Sequence, residues 1–433
     1  MTSTLISPST LTSLNSPTIR QLPNGLTIIA EQMPVAAVNL SLWLKVGSAV
    51  ETDQINGMAH FLEHMVFKGT EKLPSGEFER LIEERGAVTN AATSQDCTHF
   101  YITTAPGDFA ELAPLQIEVV FNPSIPEAAF DRERKVVLEE IRRSEDNPHS
   151  RSYQRSMEMA FERLPYRRSV LGPIAAIEQL TAQQMRDFHG TWYQPPSITA
   201  VAVGNLPVAE LIEIVAEGFT DAIGPTDAET FVEKYLHLNP EPAFTEIIRR
   251  EEVDRSLTQA QLIVVWRVPG GMQLHQTYAL DILASILGQG RTGRLIRDLR
   301  EERGLVSSIF ASNMTYEGQG VFYIAARLPE ENLATVETAI QSHISTIGDT
   351  IQEAEIARVR AQVANRFIFA NETPGDRASL YGYYQSMIGD LAPAVNYPAC
   401  IQAIDAQELQ AAAKRYLSPE AYGVLTIKPG TKN

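Results

Sequence analysis

Two histidines, His60 and His64, stand four residues apart in the stretch MAHFLEHMVFKGT (58–70), with Glu63 between them. On an α-helix, residues i and i+4 share one face with Cβ atoms roughly 5–6 Å apart. Two neutral imidazoles placed this way can hold one Zn²⁺ at ~2.0–2.1 Å each. Glu63 falls on the adjoining edge of that face, where a carboxylate reaches a water at the metal without displacing a ligand. The pattern is HxxEH, a permutation of HExxH, and both serve zinc peptidases. The competing reading is a pair of hydrogen-bonded histidines on a buried helix.

A catalytic zinc needs a third protein ligand and keeps its fourth position for water. The stretch FDRERKVVLEEIRRSEDNP (130–148) supplies several carboxylates. Glu133 and Glu140 lie seven residues apart, so at 100° per residue they fall within about 20° of one another. Val136 and Val137 are read onto the same stripe, whereas Glu139, Arg142, Arg143 and Glu145 read as solvated charges. Acids on an apolar stripe are costly to bury unless they bind something. The alternative is an amphipathic surface helix held by salt bridges.

The elements that position these groups are written twice. FERLIEERGAV (78–88) parallels LIRDLREERGLV (295–306), HFYITTAP (99–106) parallels VFYIAARLP (321–329), and the segment from Ile177 parallels that from Ile401. Three matches in the same order, all about 220 residues apart, indicate two similar halves. The expected domains are 17–225 and 240–433, joined by the Pro- and acid-containing stretch DAIGPTDAETFVEKYLHLNPEP. In the first half PNGLTIIAE and AVNLSLWLKVG read as strands, with helical patterns at 57–68, 75–85, 107–120 and 126–146 and a strand in SITAVAVGN. Helix-start signals recur at Thr181 with Gln184 and at Asp405 with Glu408. The predicted class is α+β, each domain a mostly antiparallel sheet packed with helices. In the second copy Tyr278, Asp281 and Ile282 replace His60, Glu63 and His64, so the architecture does not require imidazoles there.

Composition narrows the partners. With 44% hydrophobic and 21% charged residues in 433, the chain reads as a soluble globular protein. A net charge of -17 argues against nucleic acid or an anionic membrane surface and is compatible with cationic or peptide-like ligands, although a diffuse negative surface ordinarily serves solubility alone. Cys97 and Cys400 form no CxxC pair, which suits a reducing compartment, cytoplasmic or, in a eukaryote, an organellar stroma or matrix. No apolar run approaches the ~18 residues of a membrane span. The Ser/Thr-rich first sixteen residues read as a disordered tail.

Taken together, GMAHFLEHMVFKGT, ERGAVTNAATSQDCTHFY and ERKVVLEEI resemble the pitrilysin (insulinase) family, in its mitochondrial-processing-peptidase-like branch of two-domain chains. The segment LGQGRTGRLIRDLREERGLV resembles the Gly-rich part of the family's second domain. The resemblance implies that His60, His64 and Glu140 hold one zinc per chain, with Glu63 as general base and Glu133 orienting the ligands. It implies that Asn90 and Ala91 belong to an edge strand to which unfolded peptides add. It also implies a half-clamshell that closes on a second subunit, identical or paralogous, to make a peptidase chamber. Active relatives take an Arg and a Tyr from the domain without zinc. No such pair is found near RREEVDRSLTQAQLIVVWRVPG, where Trp266 stands instead, and Tyr381–Tyr384 read as helix packing. The rival function is a non-catalytic assembly or peptide-binding subunit of a related complex.

Overall fold

The computed structural model describes residues 16–224 and 238–430, so most of the expected linker and the N-terminal tail lie outside the described residues. The first half contains β1 (Thr18–Gln21), β2 (Thr27–Gln32), β3 (Val38–Leu44), β4 (Val88–Thr93), β5 (Thr98–Thr104) and β6 (Ile198–Gly204). Its helices are α1 (Met58–Val66), α2 (Glu77–Glu84), α3 (Phe109–Phe121), α4 (Glu127–Asp146), α5 (Pro148–Ala160), α6 (Ile174–Gln179), α7 (Ala182–Trp192) and α8 (Val208–Ile223). The second half contributes β7 (Ile248–Asp254), β8 (Ala260–Pro269), β9 (Ser308–Met314), β10 (Gln319–Leu328) and β11 (Gly423–Pro429). Its helices are α9 (Tyr278–Gly288), α10 (Leu333–Thr350), α11 (Glu353–Phe369), α12 (Pro374–Ile388), α13 (Ala392–Ala403) and α14 (Ala406–Tyr416).

The strand orders are β1-β2-β6-β3-β5-β4 and β7-β11-β8-β10-β9. Without β1 the two sheets coincide strand for strand, each with one parallel pair, β2–β6 or β7–β11, and antiparallel pairing elsewhere. Both helix-start signals form reciprocal caps, at Thr181 with Gln184 and at Asp405 with Glu408. The counterpart of α2 is a π-helical segment, Ile296–Glu302. In each half one sheet face carries the main apolar core: Leu42, Phe61, Phe100 and Phe130 belong to the first, Val264, Leu283, Phe322 and Ile324 to the second.

The opposite faces are covered by exchange. Helix α12 of the second half lies on β3 and β6, where Tyr381, Ala378 and Met387 pack with Trp43, Val201 and Val203. Reciprocally, α5 of the first half lies on β8 and β11, where Met157 and Met159 pack with Ile263, Val265 and Leu425. Each helix finishes the other half's core, because a sheet with two apolar faces must bury both. Tyr381 is packing, as its place in the sequence suggested: it is fully buried and its hydroxyl donates to Glu31 at 2.6 Å.

A second seam joins the tips of the two edge hairpins. Asp96, between β4 and β5, accepts the Glu317 backbone N–H and the Tyr166 hydroxyl, each at 3.0 Å. That hydroxyl in turn accepts the Gly318 N–H at 2.8 Å, and Lys45 pairs with Glu317 at 2.7 Å. Buried bonds of this kind, added to two exchanged helices, hold the halves as one body.

Candidate metal centre

Helix α1 is apolar on most of its circumference: Met58, Ala59, Phe61, Leu62, Met65 and Val66 are all fully buried. That burial fixes the rotation of the helix and leaves His60, Glu63 and His64 on the remaining side. Its start is set by Gly57, at φ +96°, where a Cβ would stand 2.5 Å from the Leu171 carbonyl oxygen. No side chain of the cap residue satisfies the free N–H groups. Glu51, buried in the preceding loop, accepts those of Gly57 and Ala59 at 2.8 Å each. Burial pushes its carboxyl up to about 7, against the pull of these donors.

Helix α4 packs on α1 through stacked Phe61 and Phe130 rings, 4.5 Å between centroids. This contact brings Glu140 over both histidines: its Oε2 lies 3.6 Å from His60 Nε2 and 3.5 Å from His64 Nε2. Two ligands at 2.0–2.1 Å from a tetrahedral centre are themselves roughly 3.3–3.4 Å apart. The donor set therefore fits one zinc with little adjustment. Among the described residues these three form the single cluster of His, Cys, Asp and Glu with ligand atoms close enough for a metal.

The two imidazoles are held differently. His64 Nδ1 lies 3.0 Å from Glu133 Oε1, and Lys68 pairs with the other oxygen of that carboxylate at 2.8 Å. With its proton on Nδ1 donated to Glu133, His64 offers the Nε2 lone pair to a metal. His60 lacks such a support: it is 7% exposed and its buried Nδ1 has no hydrogen-bond partner among the described residues. Burial, with His64 beside it, lowers the His60 pKa to about 4 and keeps the ring a neutral donor. For His64 burial acts the same way, but Glu140 and Glu133 outweigh it and raise its pKa. The stripe expected on α4 needs one correction. Val137 is buried, but Val136 is 50% exposed and the Glu140 side chain 44% exposed, so Glu140 is not an acid forced into an apolar wall. Glu139 points away and pairs with Arg142 and Arg143.

Glu63 faces the edge strand. Thr93 on β4 donates its hydroxyl to Glu63 Oε2 at 2.5 Å, and burial raises the Glu63 pKa. The same link recurs in the second half, where Asn313 on β9 donates to Asp281 at 2.8 Å. There Tyr397 of α13 also donates to Asp281 at 3.1 Å and sets its ring edge-on to Tyr278. A helix-to-edge-strand bond is thus common to both copies, and only the first adds the imidazoles. Asn90 and Ala91 lie mid-strand on β4, which has no neighbouring strand on its outer side among the described residues. Asn90 Oδ1 accepts the Ala91 N–H at 2.9 Å. Trp266 is buried in the second core and donates to the Ser418 carbonyl at 2.8 Å. Thr93, Lys68 and Glu51 were not singled out from the sequence, since each acts through a contact that spacing does not encode.

Replacing Glu133 with alanine removes the acceptor for His64 Nδ1 and unpairs Lys68. Zinc affinity, read by competition with a chelator, is expected to fall about 10–100-fold. Glu139→Gln is expected to leave it unchanged.

Residues 26–174 match the family described as Insulinase (Peptidase family M16), and residues 179–363 match the one described as Peptidase M16 inactive domain. The chain is 26% identical to the zinc protease PqqE of Helicobacter pylori, over 94% of this chain and 92% of that protein. It is 25% identical to a probable mitochondrial-processing peptidase subunit beta of Arabidopsis thaliana, over 95% of this chain and 78% of that one. Its fold is that of a Helicobacter pylori protease crystal structure, with a TM-score of 0.86 at 24% identity, covering 96% and 99% of the two chains. A putative M16-like peptidase from Alicyclobacillus acidocaldarius gives 0.83 at 20%, covering 96% and 100%. No helix among the described residues is long and apolar enough to cross a membrane. With both halves matched in order along the chain, this protein belongs to the insulinase, or M16, peptidase family.

Proposed function

We propose that the chain is a zinc-dependent endopeptidase acting on unfolded peptides. The observation that carries this reading is the convergence of His60 Nε2, His64 Nε2 and a Glu140 oxygen beside Glu63. Zinc held by His60, His64 and Glu140 would supply Lewis acidity, polarising the scissile carbonyl and making water a nucleophile near neutral pH. Glu63 accepts the proton of the attacking water and delivers it to the leaving amine nitrogen. The Thr93 hydroxyl fixes the carboxylate while it does so, and Glu133 keeps the His64 ring in register. The peptide pairs with the open edge of β4, its carbonyl taking the Ala91 N–H in place of the Asn90 amide oxygen. Backbone pairing suits substrates of varied sequence, provided they are extended.

One chain supplies one half of a chamber, its two sheets tied to each other by the seam and the exchanged helices. A second subunit closes it, either another copy or a paralogue. Trp266 and Tyr381 are committed to the cores, which favours a partner that brings the missing Arg and Tyr contacts. The test combines sedimentation with cleavage across a dilution series, using an extended peptide and a stably folded protein without loose termini. Activity on the extended peptide is expected to disappear as the dimer dissociates, and the folded protein is expected to survive. Full specific activity in a monomer, or efficient digestion of the folded protein, would contradict the chamber. Persistent inactivity of a zinc-loaded dimer with any partner would favour the assembly-subunit role.

A further inference from the structure

The first sheet presents an aromatic wall that the chemistry above does not use. Directly opposite one another across the strands stand Trp43 on β3, His99 on β5 and Ala92 on β4. Ser41, Tyr101 and Asn90 form the next row on the same face. The Trp43 and His99 rings are stacked 4.3 Å apart and 7° from parallel, and Tyr101 continues the stack at 6.3 Å and 14°. Tyr383 of α12 meets Trp43 edge-on at 6.5 Å. Helix α12 comes this close because residue 382 is glycine: a Cβ there would stand 2.1 Å from the indole.

The row thus reads indole, imidazole, methyl, then the open edge. Neighbouring strands lie ~4.8 Å apart, so a peptide paired to β4 runs about 10 Å from His99 with only Ala92 between them. His99 is half-buried, and burial alone lowers its pKa, favouring the neutral ring; no hydrogen bond engages its nitrogens among the described residues. Side chains alternate along β4. Ala91 packs against the α1 core and Thr93 touches Glu63, whereas Asn90 and Ala92 face the aromatic wall. A peptide lying alongside alternates in the same way.

We propose that this wall selects peptides carrying an aromatic side chain at positions of one parity relative to the scissile bond. The incoming ring leans over the Ala92 methyl, covers the outer face of His99 and extends the stack. A bulky residue at 92 would close that space, and a small one keeps it open. This proposal rests on the peptidase reading and on β4 as the strand that receives substrate.

Cleavage products of a peptide library give the parity directly, and a matched pair differing only by Phe or Ala at the wall-facing position gives the size of the effect. The wild-type chain, with its partner, is expected to favour the Phe peptide about two- to tenfold in kcat/KM. In Ala92→Leu and in His99→Ala the ratio is expected to fall toward one, with zinc content measured on the same preparations to verify the site. A ratio of one in the wild type, a ratio preserved in both variants, or aromatic enrichment at both parities would overturn the proposal. Cleavage with bound zinc but without parity defeats the wall alone. No zinc and no cleavage would defeat the peptidase reading beneath it.

Discussion

His64→Ala is expected to leave the purified chain without zinc after dialysis, where the wild type retains about one ion. The loss should exceed the roughly 10–100-fold typical of deleting an outer hydrogen bond to a ligand, because the donor atom itself is gone. His60→Ala is expected to do the same, and to cost some stability as well, since that ring is only 7% exposed and its removal leaves a cavity. Glu140→Gln replaces an anionic donor with a weak neutral one while keeping the shape of the side chain. It should weaken zinc strongly, whereas Glu139→Gln, one position away and paired to arginines in solvent, should not. Plasma emission analysis of the dialysed proteins reads all four. Equal effects at 139 and 140 would remove Glu140 from the ligand set.

Glu63→Gln separates the base from the metal. The substitution removes no ligand, and the amide oxygen still accepts from Thr93, so the fold and the zinc are expected to remain. Turnover of an extended peptide should fall by about 10²–10⁴, the usual contribution of a positioned base. The apparent affinity for peptide should change far less, because the backbone edge of β4 is intact. Zinc loss in this variant would mean that Glu63 is a ligand. Undiminished turnover would mean that another group moves the proton.

Much of this was legible in the sequence because it is local. The spacing of His60, Glu63 and His64 fixes their common face as soon as α1 forms. The order of three repeated segments fixes two sheets of like topology, down to the paired caps at Thr181 and Asp405. The choice of Glu140 over its neighbours came from family likeness, and its carboxylate oxygen lies 3.6 Å from His60 Nε2 and 3.5 Å from His64 Nε2. What stayed hidden depends on chain segments meeting across long separations. Tyr381 and Glu31 meet across 350 positions, and nothing in the apolar pattern of α12 says which sheet it will cover. Glu51 caps α1 from a loop rather than from the cap position, so no motif announces it. The exposure of Val136 follows from how α4 seats on Phe61, which periodicity alone sets only to within a residue. The Asn313–Asp281 bond could not be read from the repeat either, since Asn313, paired with Phe322, corresponds to Ala91, paired with Phe100, and not to Thr93.

Three side chains from α1 and α4 are proposed to hold one zinc with Glu63 beside it. Crystals of the zinc-loaded protein, measured just above and just below the zinc absorption edge, test it most directly. One anomalous peak per chain is expected, within about 2.0–2.2 Å of His60 Nε2, His64 Nε2 and a Glu140 oxygen, with Glu63 outside the coordination sphere. A peak elsewhere in the chain, a fourth protein ligand closing the site, or no peak in zinc-loaded crystals would contradict it.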